Sequence, residues 1–181
     1  MNVCVAVISN KNSPLFFKTS NEEELLSFQF RVYGSLDIVE DKIGNSLSKH
    51  SHGDKEATSK YLGLLYAIDD HYIYGYVTNT NVKVSAPIDF VVTFHYVQFI
   101  LVQEDHSTAG DVPKSTAASQ TEIQVKKIFE TLHDAYLNLV SSPFYVPNTP
   151  IDPSTSGCAK KFELVVDDIL KRPTSEPVSK F

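Results

Sequence analysis

Apolar residues recur at steps of three and four in three segments of the chain, which is the spacing of one face of an α-helix. The first segment runs from about Asn21 to Lys42, the second follows Thr121, and the third runs from about Ser156 to Lys171. Their apolar positions are, in order, Leu25, Phe28, Val32, Leu36 and Val39, with Ile43 and Leu47 continuing the repeat past Lys42; Val125, Ile128, Phe129, Leu132, Tyr136 and Leu139; and Phe162, Val165, Val166, Ile169 and Leu170. The pattern predicts three amphipathic helices, each with one face against a core.

Capping residues precede the first two predicted helices. In a capping box, a short polar side chain and a Glu or Gln three positions later satisfy backbone N–H groups that the first turn leaves unpaired. Three pairs have this spacing: Ser20 with Glu23, Asn21 with Glu24, and Thr121 with Gln124. The first helix is therefore expected to begin near Asn21, with either Ser20 or Asn21 as its cap, and the second near Thr121.

Five further runs are rich in β-branched, aliphatic and aromatic residues and are bounded by turn-forming residues. They are Val3–Ser9, Leu15–Thr19, Tyr61–Ile68, Tyr72–Thr78 and a strand within Val82–Val102. Short links join the first run to the second and the third to the fourth, which predicts two β-hairpins. The element order ββαβββαα favours an α+β fold, with a mostly antiparallel sheet and helices on both sides.

Polar segments separate these elements. Residues 44–60 and 104–119 are predicted to be loops, and residues 141–153, which hold four prolines, an ordered turn or extended loop. Residues 172–181 are expected to be a disordered tail. The 181 residues thus fit one domain over residues 1–171.

Charge and cysteine content restrict the possible functions. A formal net charge of −6 argues against binding nucleic acid or anionic lipid through bulk electrostatics. Cys4 and Cys158 lie far apart, which is typical of inert thiols rather than a disulfide or a metal site. The longest apolar run, Ile88–Val102, is interrupted by polar residues and is shorter than the ~20 residues of a membrane helix. A cytosolic protein is expected.

Candidate catalytic and metal-binding residues form no recognisable pattern. His50, His52 and Asp54 come nearest to a metal site, but a structural zinc site needs four well-placed ligands, and no partners recur at that spacing. Solvated loop histidines are the better interpretation. The chain has no glycine-rich phosphate-binding motif and no nucleophile in an elbow motif. We therefore predict no catalytic residue, no cofactor and no metal.

One apolar feature lies beside the stripe of the first predicted helix. Leu26, Phe30 and Tyr33 follow one another at steps of four and three, and Asp37 continues the same flank. These four residues are called the ledge below. Two interpretations stay open: either a wide apolar stripe covers more of the sheet, or the ledge is partly exposed and contacts another protein.

Six segments, in order along the chain, resemble one family. They are Val3–Ile8, Ser35–Glu40 (SLDIVE), Tyr61–Tyr66 (YLGLLY), Tyr74–Lys83 (YGYVTNTNVK), Ile128–Tyr136 (IFETLHDAY) and Pro143–Tyr145 followed by Pro147. Together they cover most of the chain as far as about Leu170 and resemble the sedlin-like subunits of the TRAPP (trafficking protein particle) complex.

The resemblance implies a longin fold, which is similar to profilin and has a five-stranded antiparallel sheet with one helix on one face and two on the other. It also implies a non-catalytic adaptor subunit of a vesicle-tethering complex that promotes nucleotide exchange on a Rab GTPase in ER-to-Golgi and Golgi traffic. Expected partners are other TRAPP-type subunits, with the Rab GTPase and the membrane reached only through the complex. The family's SLD-type motif maps onto Ser35, Leu36 and Asp37, and its aspartate is associated with partner binding.

One segment departs from the family pattern. The family runs from a Val-Lys pair directly into a strand such as FILV, whereas here Val84–Gln98 separate Val82 and Lys83 from Phe99. Val-Ser can be encoded by GTAAGT and Gln by CAG, the consensus ends of an intron. We therefore interpret residues 84–98 as an insertion or a retained intron, which transcripts carrying the segment at full abundance would contradict.

The sequence also bears on two other classes of function. The same fold serves as a regulatory domain of SNAREs and as a small clathrin-adaptor chain, but no heptad repeat with a membrane anchor follows here. A small enzyme would need a reactive pair of side chains in a pocket, and the sequence offers none.

Overall fold

The computed structural model describes residues 2–49, 60–80, 95–104, 114–143 and 145–171. In chain order its elements are β1 (Asn2–Ser9), β2 (Pro14–Thr19), a 3-10 turn (Glu22–Glu24), α1 (Leu25–Lys49), β3 (Tyr61–Ile68), β4 (His71–Thr80), β5 (His95–Glu104), α2 (Lys114–Val140) and α3 (Gly157–Lys171). This order confirms the predicted succession ββαβββαα.

The strands form one five-stranded sheet in the order β2-β1-β5-β4-β3. All neighbouring strands are antiparallel, and β1 lies inside the sheet, where Val5 is opposite Lys18 of β2 and Leu101 of β5. The α+β fold and the two hairpins are therefore confirmed. β2 and β3 are the edge strands.

Each face of the sheet has its own core, because successive side chains of a strand point to opposite faces. Cys4, Ala6 and Ile8 of β1 lie under α1, together with Phe28 and Val32 of that helix. The other face carries α2 and α3; its core includes Val5, Val7, Phe99, Phe129 and Phe162. The arrangement of one helix on one face and two on the other confirms what the resemblance implied.

Polar contacts fix α3 to the sheet at two points. Asn2 Nδ2 donates to the carbonyl of Ile169 at 2.9 Å, and Gln103 Nε2 donates to Asn2 Oδ1 at 2.9 Å. Lys18 Nζ of β2 lies 2.8 Å from Glu163 Oε1 and 2.6 Å from Asp167 Oδ1. The helix is thereby fixed near its end and near its middle.

Asn21 caps the 3-10 turn that leads into α1. Its Oδ1 accepts a hydrogen bond from the Glu23 N–H at 3.1 Å, and its Nδ2 donates to Glu24 Oε1 at 3.0 Å. The Ser20 N–H instead donates to the Val3 carbonyl at 2.9 Å. Ser20 therefore continues the sheet, and Asn21 is the cap. Ser156 serves α3 in the same way, because its Oγ accepts from the Ala159 N–H at 3.1 Å.

Two predicted helix boundaries were wrong. α2 begins at Lys114 rather than near Thr121, so the expected loop over residues 104–119 ends in helix. Thr121 is an interior helical residue; the preceding Ala117 and Ala118 favour the helical conformation and let the helix extend past the polar residues around them. α1 continues to Lys49 instead of ending near Lys42, through Gly44, so the loop predicted over residues 44–60 begins in helix.

Several predictions fall outside the described residues. They concern His50, His52 and Asp54, most of the suspected insertion, and the tail at 172–181. Only residues 95–98 of the suspected insertion are described, and they form the start of β5; the insertion itself stays a prediction. Among the helices in the described ranges, none has the length and apolar character needed to cross a membrane.

Candidate partner-binding surface

The outer side of α1 carries the ledge. Successive residues of an α-helix turn by about 100°, so Phe30 points about 160° away from Phe28, which lies in the core. Leu26, Tyr33 and Asp37 fall within about 60° of Phe30 on the same helical projection. The ledge and the buried stripe are therefore on opposite sides of one helix, rather than side by side as predicted.

The ledge is open to solvent. Leu26 is 66% exposed, Phe30 72% and Tyr33 42%, and Asp37 is also exposed. By contrast, Phe28 is only 1% exposed. Of the two interpretations left open by the sequence, a stripe that covers more of the sheet does not fit these three apolar side chains.

Hydrogen bonds between α1 and the β3 side of the sheet fix the direction in which the ledge points. Tyr66 Oη donates to the Arg31 carbonyl at 2.6 Å, and burial raises the pKa of Tyr66, so the hydroxyl keeps its proton. Lys42 Nζ donates to the carbonyls of Leu62 and Leu64, each at 2.8 Å. These hydrogen bonds hold α1 at two points along its length and oppose rotation of the helix about its axis, which would bury the ledge.

Contacts at the two neighbouring turns hold α1 from other directions. Arg31 Nη2 lies 3.4 Å from Asp69 Oδ2, in the turn between β3 and β4. At the turn between β1 and β2, Asn12 Nδ2 donates to Glu40 Oε1 at 2.8 Å. These contacts use the sides of the helix and leave its outer face open.

The three residues of the SLD-type motif differ in their surroundings. Ser35 is fully buried and its hydroxyl donates to the Val32 carbonyl at 2.6 Å, while Leu36 is 5% exposed and packs in the core under α1. Asp37 alone faces solvent. The first two residues therefore stabilise the helix on the sheet, and the third is the one available to a partner.

Titratable side chains elsewhere do not form a reactive pair among the residues described. Burial, and then the Arg31 charge, lower the pKa of His71. Burial, and then the Lys60 charge, lower the pKa of His133, whose Nδ1 lies 3.3 Å from the Tyr76 hydroxyl. Both histidines are thus held neutral within aromatic surroundings, with Phe28 beside His71 and Tyr76 beside His133.

Within the described ranges, no three His, Cys, Asp or Glu side chains are close enough to hold a metal ion. A groove of about 360 Å³ lies along β2 beside Ile151 and Pro153. The two charged residues that line it, Lys18 and Glu163, form an ion pair with each other. Neither of them is therefore available as an unpaired acid, base or nucleophile in the groove.

Two features of this region were missed by the sequence reasoning. Leu64 and Ile68 of the edge strand β3 are 44% and 43% exposed, although the run that contains them reads as fully apolar. Acidic residues also continue the outer face of α1 beyond the ledge, at Asp41 in particular. Plotting the acidic positions of α1 on the helical projection would have found the second feature, whereas the first depends on which strand lies at the edge.

Comparison with known proteins places this architecture in a family. A family profile described as Sedlin matches residues 7–168. The chain is 34% identical over 151 residues to the trafficking protein particle complex subunit 2-like protein of Xenopus tropicalis. The aligned residues make up 83% of this chain and 88% of that protein. The protein of the same name from Dictyostelium discoideum is 34% identical over 154 residues, 83% of this chain and 86% of that one.

A more distant relative extends over almost the full length. The transport protein particle 20 kDa subunit of Schizosaccharomyces pombe is 24% identical over 180 residues, which covers 95% of this chain and 98% of that protein. The profile match covers the whole ledge and most residues of both cores. This chain therefore belongs to the sedlin family.

Proposed function

We propose that this chain is a non-catalytic subunit of a trafficking protein particle complex and that it binds a neighbouring subunit through the ledge. The observation that carries the proposal is the exposure of Leu26, Phe30 and Tyr33 on a helix whose opposite face is buried. Exposed clusters of large apolar side chains on a small domain mark contact sites. The names of its relatives support the kind of assembly.

The complex would act in ER-to-Golgi and Golgi traffic and promote nucleotide exchange on a Rab GTPase. In this proposal the chain is cytoplasmic and reaches the membrane and the GTPase only through its neighbouring subunits. The acidic net charge supports an indirect contact, because it opposes binding to anionic lipid. A SNARE regulatory domain or a clathrin-adaptor chain has no support from the names of the relatives reported above.

Truncation of Phe30 tests the contact. Because Phe30 is 72% exposed, Phe30→Ala should change the free energy of unfolding by no more than about 0.5 kcal/mol. An aromatic anchor at an interface typically contributes about 2 kcal/mol or more, so binding of the partner subunit should weaken roughly 30-fold. The measurement is titration against each purified subunit of the complex. Leu164→Ala is the matched control, since Leu164 is 58% exposed on α3, on the other side of the sheet.

Asp37→Tyr tests the polar end of the ledge. The side chain is exposed, so the fold should remain intact while capture of neighbouring subunits weakens. The measurement is a stoichiometric mass-spectrometric census of the affinity-purified complex. Recovery of the whole complex at wild-type yield with both Phe30→Ala and Asp37→Tyr would contradict the proposed contact.

The non-catalytic role has its own test. The isolated chain should not accelerate release of labelled nucleotide from a Rab GTPase, whereas the assembled complex should. Removal of this chain should affect the exchange rate only as far as it disturbs assembly, measured by the mass of the remaining complex. Exchange activity in the isolated chain would show that it contributes chemistry rather than contacts.

A further inference from the structure

Carboxylates flank the apolar part of the ledge at both ends. Glu22 and Glu23 are exposed in the turn before Leu26, and Asp37 and Asp41 are exposed beyond Tyr33. Asp41 lies one helical turn after Asp37, on the same side of α1 as the ledge. The apolar part of the outer face therefore has acidic groups at each end.

The basic residues nearest the ledge are engaged away from it. Between Glu22 and Gly44 the sequence contains only two basic residues, Arg31 and Lys42. The Arg31 guanidinium lies against Asp69 in the turn between β3 and β4, and the Lys42 ammonium donates to two carbonyls of β3. Hydrogen bonds from Asn12 to Glu40 and from Asn21 to Glu24 come from neutral amides, so they bring no positive charge to this face. Between Glu22 and Gly44 the outer face is therefore negative.

We propose that the ledge binds a protein partner with an apolar groove edged by lysine or arginine. This inference rests on the proposed function and specifies the chemistry of its contact. Oppositely charged rims accelerate encounter and fix the register of two surfaces, while the apolar centre supplies most of the affinity. An exposed apolar helix face can also bind membranes, but such helices carry Lys and Arg on their polar face. The carboxylates at both ends of the ledge disfavour binding to a lipid surface and also to a nucleic acid.

The test uses the full chain and the purified subunit whose binding Phe30→Ala weakens. The double variant Asp37→Asn with Asp41→Asn keeps the shape of the outer face and removes two charges. Its matched control is Glu130→Gln with Asp134→Asn, which removes the same charge from exposed positions of α2. We expect the association rate constant at about 50 mM NaCl to fall roughly fivefold to tenfold for the double variant only.

Salt dependence and cross-linking complete the experiment. For the wild-type chain, raising NaCl from about 50 to about 500 mM should slow association roughly tenfold, and the double variant should lose most of that dependence. A zero-length carbodiimide joins a carboxylate to a lysine amine only where the two are in direct contact. It should link Asp37 or Asp41 to lysines of the partner, identified by mass spectrometry.

The two proposals fail in different ways. If Phe30→Ala weakens binding but neither the double variant nor salt changes the association rate constant, the ledge is a contact and the basic-rimmed partner is wrong. If no purified subunit binds in a Phe30-dependent manner, the contact itself is wrong. Binding of the wild-type chain to vesicles of anionic lipid, lost in Phe30→Ala, would also overturn the protein partner in favour of a membrane.

Discussion

Phe28 and Phe30 are the same residue type two positions apart, yet the first is 1% exposed and the second 72%. The helical repeat predicted that they point in different directions, and the sequence was sufficient for the buried one. The sequence did not determine whether Phe30 is covered, because the spacing of apolar residues along α1 does not give the width of the sheet beneath the helix. The ledge was therefore predictable as four residues on one flank but not as a solvent-exposed surface.

The two cysteines provide a prediction at the same scale. Cys4 is fully buried under α1, and burial raises the pKa of its thiol far above the usual range. Cys158, near the start of α3, is only partly buried. Because the thiolate is the reactive form, an alkylating reagent should modify Cys158 in the native protein and both thiols in denaturant. Mass spectrometry of the labelled peptides measures this, and rapid native labelling of Cys4 would contradict the packing of β1 under α1.

The elements were largely predictable where one hydrophobic period is sustained. The stripe of α3 follows directly from its spacing, and the hairpin of β3 and β4 follows from two β-rich runs joined by a short link. The start of α2 was not predictable in this way. The Ser and Thr residues before Thr121 are typical of a loop, although the alanines among them favour the helical conformation. A capping box at Thr121 was a plausible start, but helix propensity on its N-terminal side prevailed.

Lys42 connects two elements and gives a prediction at this scale. β3 is an edge strand, and an uncovered edge presents unpaired backbone groups to which another chain can add a strand. Lys42 occupies two of its carbonyls. Lys42→Met should therefore increase self-association, measured as a rise in mass with concentration by light scattering. Lys126→Met, on the exposed face of α2, should behave as the wild-type chain; an equal rise in both variants would point to general loss of charge rather than to the edge.

The order of strands in the sheet belongs to the scale of the whole molecule, and the sequence did not provide it. Alternation of apolar residues tells which face of a strand is buried but not which strand lies beside it. β1 pairs with β2 through a short turn, which is predictable, and with β5, which is more than eighty residues away along the chain. The longin resemblance supplied the number of strands and the layers of helices, and the neighbours came from the structure.

The position of β5 between β1 and β4 has a consequence for biosynthesis. The described residues that precede it in translation form two separate ribbons and a helix, since no earlier strand in that part of the chain joins one ribbon to the other. At about 5–20 residues per second, β1 leaves the peptidyl-transferase centre several seconds before its second neighbour is made. During that interval the nascent chain exposes the apolar side chains of β1 that will become the middle of the molecule, so we expect a chaperone to be needed most in this period.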